Sequence, residues 1–148
     1  MGNNSSDQVA ISEARMGMET PMVISHIAKN CLYTGFFGRL DSVRIKSITD
    51  KIISKAESSD TLITIIDLGN VEVIDTSICQ HLLDIGVTMR TLGVKVVFCS
   101  IKSNVAQTMT KAGIRFTDFD VYKNLEVALS AVYEETGYRL TKIQSQAL

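Results

Sequence analysis

The stretch at residues 61–99, TLITIIDLGNVEVIDTSICQHLLDIGVTMRTLGVKVVFC, decides the fold. Thr61-Leu62-Ile63-Thr64-Ile65-Ile66-Asp67-Leu68 is a nearly continuous β-branched and apolar run, the composition of a strand buried on both sides. A turn is expected at Gly69-Asn70. Beyond it Ile78, Leu82, Ile85, Met89 and Leu92 recur at offsets of four, seven, eleven and fourteen, which places them on one face of an amphipathic helix. Gly93 ends that helix as the residue just past its cap. Val94-Lys95-Val96-Val97-Phe98-Cys99 then forms a second core strand, so the stretch reads as a parallel pair joined by a right-handed crossover.

Outward from this centre the pattern continues in both directions. Met22-Val23-Ile24-Ser25-His26-Ile27 and Leu32-Tyr33-Thr34-Gly35-Phe36-Phe37 flank the polar pair Lys29-Asn30, a hairpin signature. Asp41-Ser42 precedes Ile45, Ile48, Ile52 and Ala56, spaced for one helical face. On the other side Ser103 opens a short helix carrying Val105, Met109 and Ala112 and closed by Gly113. A short strand near Phe119-Asp120-Val121-Tyr122 and a helix with Leu125, Ala128, Leu129 and Val132, stopped by Gly137, complete the series. The expected fold class is α/β: an N-terminal hairpin, then alternating parallel strands and helices in a mixed β-sheet, with the helices packed mainly on one face. The folded domain is placed at residues 22–137, with residues 1–21 and 138–148 as flexible tails.

Composition narrows the function. The 148 residues are 45% apolar and 21% charged, which suits one globular domain. Fifteen Lys plus Arg against sixteen Asp plus Glu leave a net charge of -1, without the broad positive field that nucleic-acid binding uses, so no nucleic-acid partner is expected. The longest apolar runs fall far short of the ~20 residues a bilayer span needs. The N-terminus also lacks a secretory pattern, and a cytoplasmic protein with no membrane partner is expected. Met1-Gly2 with Ser6 formally fits the N-myristoylation pattern, but that pattern is permissive and a lone acyl chain anchors weakly. Cys31, Cys79 and Cys99, odd in number and widely spaced, suggest neither a disulfide framework nor a zinc site and read as small buried hydrophobes. His26 and His81 have no ligand at metal spacing, and neither metal nor cofactor is expected.

Sites in such folds lie beyond the carboxyl ends of parallel strands, here the loops after Leu68 and Ile101. They hold no dinucleotide fingerprint, phosphate loop or nucleophile elbow. His81 stands four residues after Ser77, but no oxyanion hole or acid accompanies the pair, and no enzyme activity is expected. What remains is a hydroxyl at a helix start with an acid just before it, Asp75-Thr76. One account is capping, with Thr76 or Asp75 accepting a hydrogen bond from the first turn. The other is phosphoacceptor: a phosphate there meets the positive end of the helix dipole and adds ~2 negative charges without disturbing the fold. The two accounts are compatible.

Three stretches, GFFGRLDSVRIKSITDKII at 35–53, IIDLGNVEVIDTSICQHLL at 65–83 and LGVKVVFCSIKSNVAQTMTKAGI at 92–114, resemble the STAS domain of anti-sigma factor antagonists. The resemblance extends to the stressosome scaffold (co-antagonist) proteins and covers about residues 22–136. It implies a non-catalytic switch that exchanges partners on phosphorylation. The acceptor after the Asp at the second helix start is Thr76, which the family pattern selects over the neighbouring Ser77. It also implies a second acceptor at the first helix start, where Asp41-Ser42 stands with Ser in place of the family's Thr. Implied partners are a serine/threonine kinase or anti-sigma factor, bound around Asp41, Asp75, Thr76 and Ser77, a PP2C-type phosphatase, and other STAS proteins in homo- or hetero-oligomers. The rival reading is a small-molecule or nucleotide sensor whose pocket is formed by Gly69, Asn70, Ser103 and Asn104.

Overall fold

The computed structural model describes residues 22–144. The expected tail at 1–21, with Gly2 and Ser6, and the end of the C-terminal tail at 145–148 lie outside the described residues. The first strand, β1 (Met22–Ala28), turns at Lys29-Asn30 into β2 (Cys31–Arg39). Asn30 takes φ 57, a left-handed conformation that asparagine tolerates. There follow α1 (Ser42–Glu57), β3 (Ile63–Val73), α2 (Thr76–Thr91), β4 (Lys95–Cys99) and α3 (Ser103–Lys111). A 3-10 turn at Phe116–Asp118, β5 (Asp120–Tyr122) and α4 (Leu125–Glu135) complete the domain.

The five strands stand side by side in chain order, β1-β2-β3-β4-β5. The first pair is antiparallel and the other three are parallel, the mixed sheet expected from the sequence. Sequential order has a consequence for the helices. Each of α1, α2 and α3 crosses from one parallel strand to the next, and right-handed crossovers advancing in one direction put all three on the same face. There Ile45, Ile48 and Ile52 of α1, Ile78, Leu82, Ile85 and Met89 of α2, and Val105 and Met109 of α3 pack on Leu32, Phe36, Ile66, Leu68 and Phe98. The helix α4 follows the last strand, is not bound by that rule, and covers the opposite face with Ala128 and Val132 against Cys31, Ile63, Ile65, Val97 and Cys99. Alternate residues of β3 and β4 thus feed opposite cores, which explains why their central residues are apolar on both faces, Ile65 and Ile66 in β3 and Val96 to Cys99 in β4.

The cysteines behave as buried hydrophobes. Burial pushes the Cys31 and Cys99 thiols up to about 11 and raises that of Cys79, so all three stay protonated near neutral pH. The buried acid of β3, Asp67, is fully engaged. Its Oδ2 accepts from the Tyr33 phenol at 2.8 Å and its Oδ1 from the Gly69 N–H at 2.9 Å.

One expectation is corrected. The chain does not turn at Gly69-Asn70: β3 runs on to Val73 because β2 also continues and supplies partners, with Phe37 opposite Asn70, Gly38 opposite Val71 and Arg39 opposite Val73. A register shift after Gly35 accommodates the Gly-Asn pair within the ladder. Among the described residues no helix is long and apolar enough to cross a membrane.

Candidate functional site

Both helix starts singled out from the sequence are capped by aspartate. Asp75 is extended (φ -103, ψ 173), and its Oδ1 accepts from the Ile78 N–H at 2.8 Å. Asp41 is likewise extended (φ -118, ψ 166), and its Oδ1 accepts from the Arg44 N–H at 2.8 Å. The choice left open at Asp75-Thr76 therefore falls on the acid. Thr76 and Ser42 are the first helical residues of α2 and α1, and both are exposed, as is Ser77. A hydroxyl without capping duty can be esterified and leave the cap in place.

The topology brings the two starts together. Because β2 and β3 are parallel neighbours, α1 and α2 begin at the same end of the sheet, beyond the carboxyl ends of those strands. Between them lies a cleft of about 470 Å³ lined by Arg39, Leu40, Asp41, Arg44, Val73 and Asp75. Two guanidinium and two carboxylate groups share this space, and Arg44 Nε stands 3.4 Å from Asp41 Oδ2. Close by in the chain, Phe37, Val43 and Val73 expose apolar side chains to solvent. Sequence reasoning missed Arg39, Arg44 and this apolar fringe. The available signal was the placement of two arginines around Asp41 on a segment leading into a helix.

The residues suggested for a ligand pocket are set differently. The Gly69 N–H is spent on Asp67, and a Cβ at Gly69 would meet Ser100 Cβ at 3.0 Å, so β3 is in close contact there with the residue that follows β4. Asn104 Nδ2 donates to the Glu72 carbonyl at 3.1 Å and ties the start of α3 to the β3 extension. Asn70 lies within β3, and Ser103 begins α3; both are exposed. His26 is exposed on β1 and His81 half-buried on α2. Among the described residues, no three His, Cys, Asp or Glu side chains are grouped to hold a metal ion.

This five-stranded sheet, with three helices on one face and one on the other, is matched by the family described as the STAS domain over residues 24–128, and the chain belongs to that family. Among its relatives in Bacillus subtilis (strain 168), the uncharacterized protein YezB is 33% identical over 90 residues, covering 61% of this chain and 83% of YezB. The RsbT co-antagonist protein RsbRA is 21% identical over 117 residues, 79% of this chain but only 43% of RsbRA. The chain therefore spans less than half of that longer relative. Among solved structures, a variant of RsbS from Moorella thermoacetica superposes with a TM-score of 0.69 at 20% identity, covering 78% of this chain and 97% of RsbS. The anti-sigma factor antagonist SpoIIAA in its unphosphorylated form gives 0.63 at 14% identity, covering 75% and 95%. The resemblance read from residues 35–53, 65–83 and 92–114 is borne out at the level of family and fold.

Proposed function

We propose that the chain is a non-catalytic, phosphorylation-controlled interaction switch of the cytoplasm, an anti-sigma factor antagonist or stressosome-type regulator that exchanges partners with a serine/threonine kinase. The observation that carries this reading is the exposed Thr76 hydroxyl on a helix start whose cap is supplied by Asp75. A phosphate at that position adds ~2 negative charges where the helix dipole favours an anion. The surface presented to a partner therefore changes while the fold does not. Ser42, set the same way behind Asp41, is the second acceptor, and a PP2C-type phosphatase resets both. The co-antagonist and antagonist relatives support a regulatory role, and other STAS chains are expected assembly partners.

The test is to incubate the full chain with ATP and its cognate serine/threonine kinase, and to map phosphate by mass spectrometry. The first phosphate is expected on Thr76. A first phosphate on the C-terminal segment, for example at Thr141, would remove the basis for the switch.

A further inference from the structure

We propose that Arg39 and Arg44 form a clamp for the phosphoryl group carried by Thr76, drawing it into the cleft between α1 and α2. The inference rests on the phosphoacceptor reading above and adds the groups that receive the phosphate. It starts from the charge of the cleft, which is balanced before modification: Arg39 and Arg44 against Asp41 and Asp75. Each carboxylate already has one oxygen committed to a backbone N–H of its own helix. The Arg44–Asp41 pair is solvent-exposed, spans only three residues and has a 3.4 Å separation, the kind of contact that exchanges readily. A phosphate monoester brings about two charges and three acceptor oxygens into the same space. The planar guanidinium fork matches phosphate in a bidentate way that a single lysine cannot.

The backbone places Arg39 for this task. Arg39 on β2 is the register partner of Val73 on β3, and each of these two residues stands two positions before a capping aspartate, Asp41 and Asp75. The side chain of Arg39 thus springs from the ladder that leads into both helices, and Arg44 lies in the first turn of α1. A phosphoryl group on Thr76 that recruits Arg44 competes with Asp41 for it. Phosphate on α2 is then felt at the start of α1, beside Ser42, and the two acceptors are not independent.

The experiment installs phosphothreonine at position 76 of the full chain by codon-directed incorporation, so that no kinase is involved, and follows its second ionisation by 31P NMR. The helix end is present in every sample, so differences between samples report the arginines. The phosphate of the otherwise wild-type chain is expected to ionise about one pH unit lower than that of the Arg39→Gln/Arg44→Gln variant. Arg39→Gln and Arg44→Gln singly are each expected to recover part of the shift. Thermal melts check that each variant is folded, and if the double variant is not, the two single variants decide. The same ionisation in all folded samples would overturn the clamp. Absence of kinase modification at Thr76 would instead overturn the proposed function and leave the NMR result standing.

Discussion

At the start of α2, Ile78 and Cys79 are both fully buried within the first turn, whereas α1 opens with Val43 at 82% exposure before Ile45 goes under. The caps are the same device in both places, an extended aspartate bonded to the N–H three residues on. The difference lies in what surrounds them. The helix α2 packs against both α1 and α3 in the middle of its layer, while α1 sits at the outer side of that layer. Local sequence sets where a helix begins. Its neighbours decide how firmly that beginning is held, and so whether added charge acts on a fixed surface or on a looser one.

The contrast breaks most visibly in stability. Ile78→Ala should cost about 2–5 kcal/mol in urea unfolding, since a fully buried side chain leaves a cavity in a close-packed layer. Val43→Ala should stay within about 0.5 kcal/mol. Equal costs would mean that the two starts are anchored alike. Next in size is an effect on binding. Thr76→Asp should lower affinity for the kinase or anti-sigma partner at least about tenfold, ~1.4 kcal/mol, with a melting temperature near wild type. Ser42→Asp should lower it less, and unfolding of the Thr76→Asp chain would make Thr76 a structural residue. The smallest effect separates acid from hydroxyl. Asp75→Ala and Asp41→Ala should each cost about 1 kcal/mol by calorimetry, while Ser42→Ala should fall within about 0.5 kcal/mol. A Ser42→Ala loss as large as that of Asp41→Ala would return the capping role to the hydroxyl.

The helices are legible in the sequence because their apolar residues repeat with the helical period. The buried faces of α1 and α2 comprise the very isoleucines, leucine and methionine that this spacing selects. Leu92 is the exception: it completes the sequence pattern at offset fourteen but stands outside the helix as its exposed C-cap. The extension of β3 is less legible, since Gly69-Asn70 is a local turn signal and only the matching extension of β2 overrides it. The capping acids could be placed only by seeing which oxygen reaches the Ile78 and Arg44 amides. The cleft is a product of topology: Arg39 and Asp75 are far apart in the chain and meet because β2 and β3 are parallel neighbours. No periodicity encodes that meeting.

The strand order also sets a schedule. With β1 to β5 laid side by side in the sequence in which they are synthesised, each helix and strand leaving the ribosome can dock on the edge left by its predecessor, without waiting for a distant segment. The side lined by Leu32, Phe36, Ile66 and Phe98 is roofed progressively as α1, α2 and α3 appear. The reverse side is different: Cys31, Ile63, Ile65, Val97 and Cys99 wait for α4, which follows all five strands in the chain. A nascent chain halted before Leu125 therefore carries a finished roof and a bare floor. Until α4 docks, that floor is an apolar surface open to solvent.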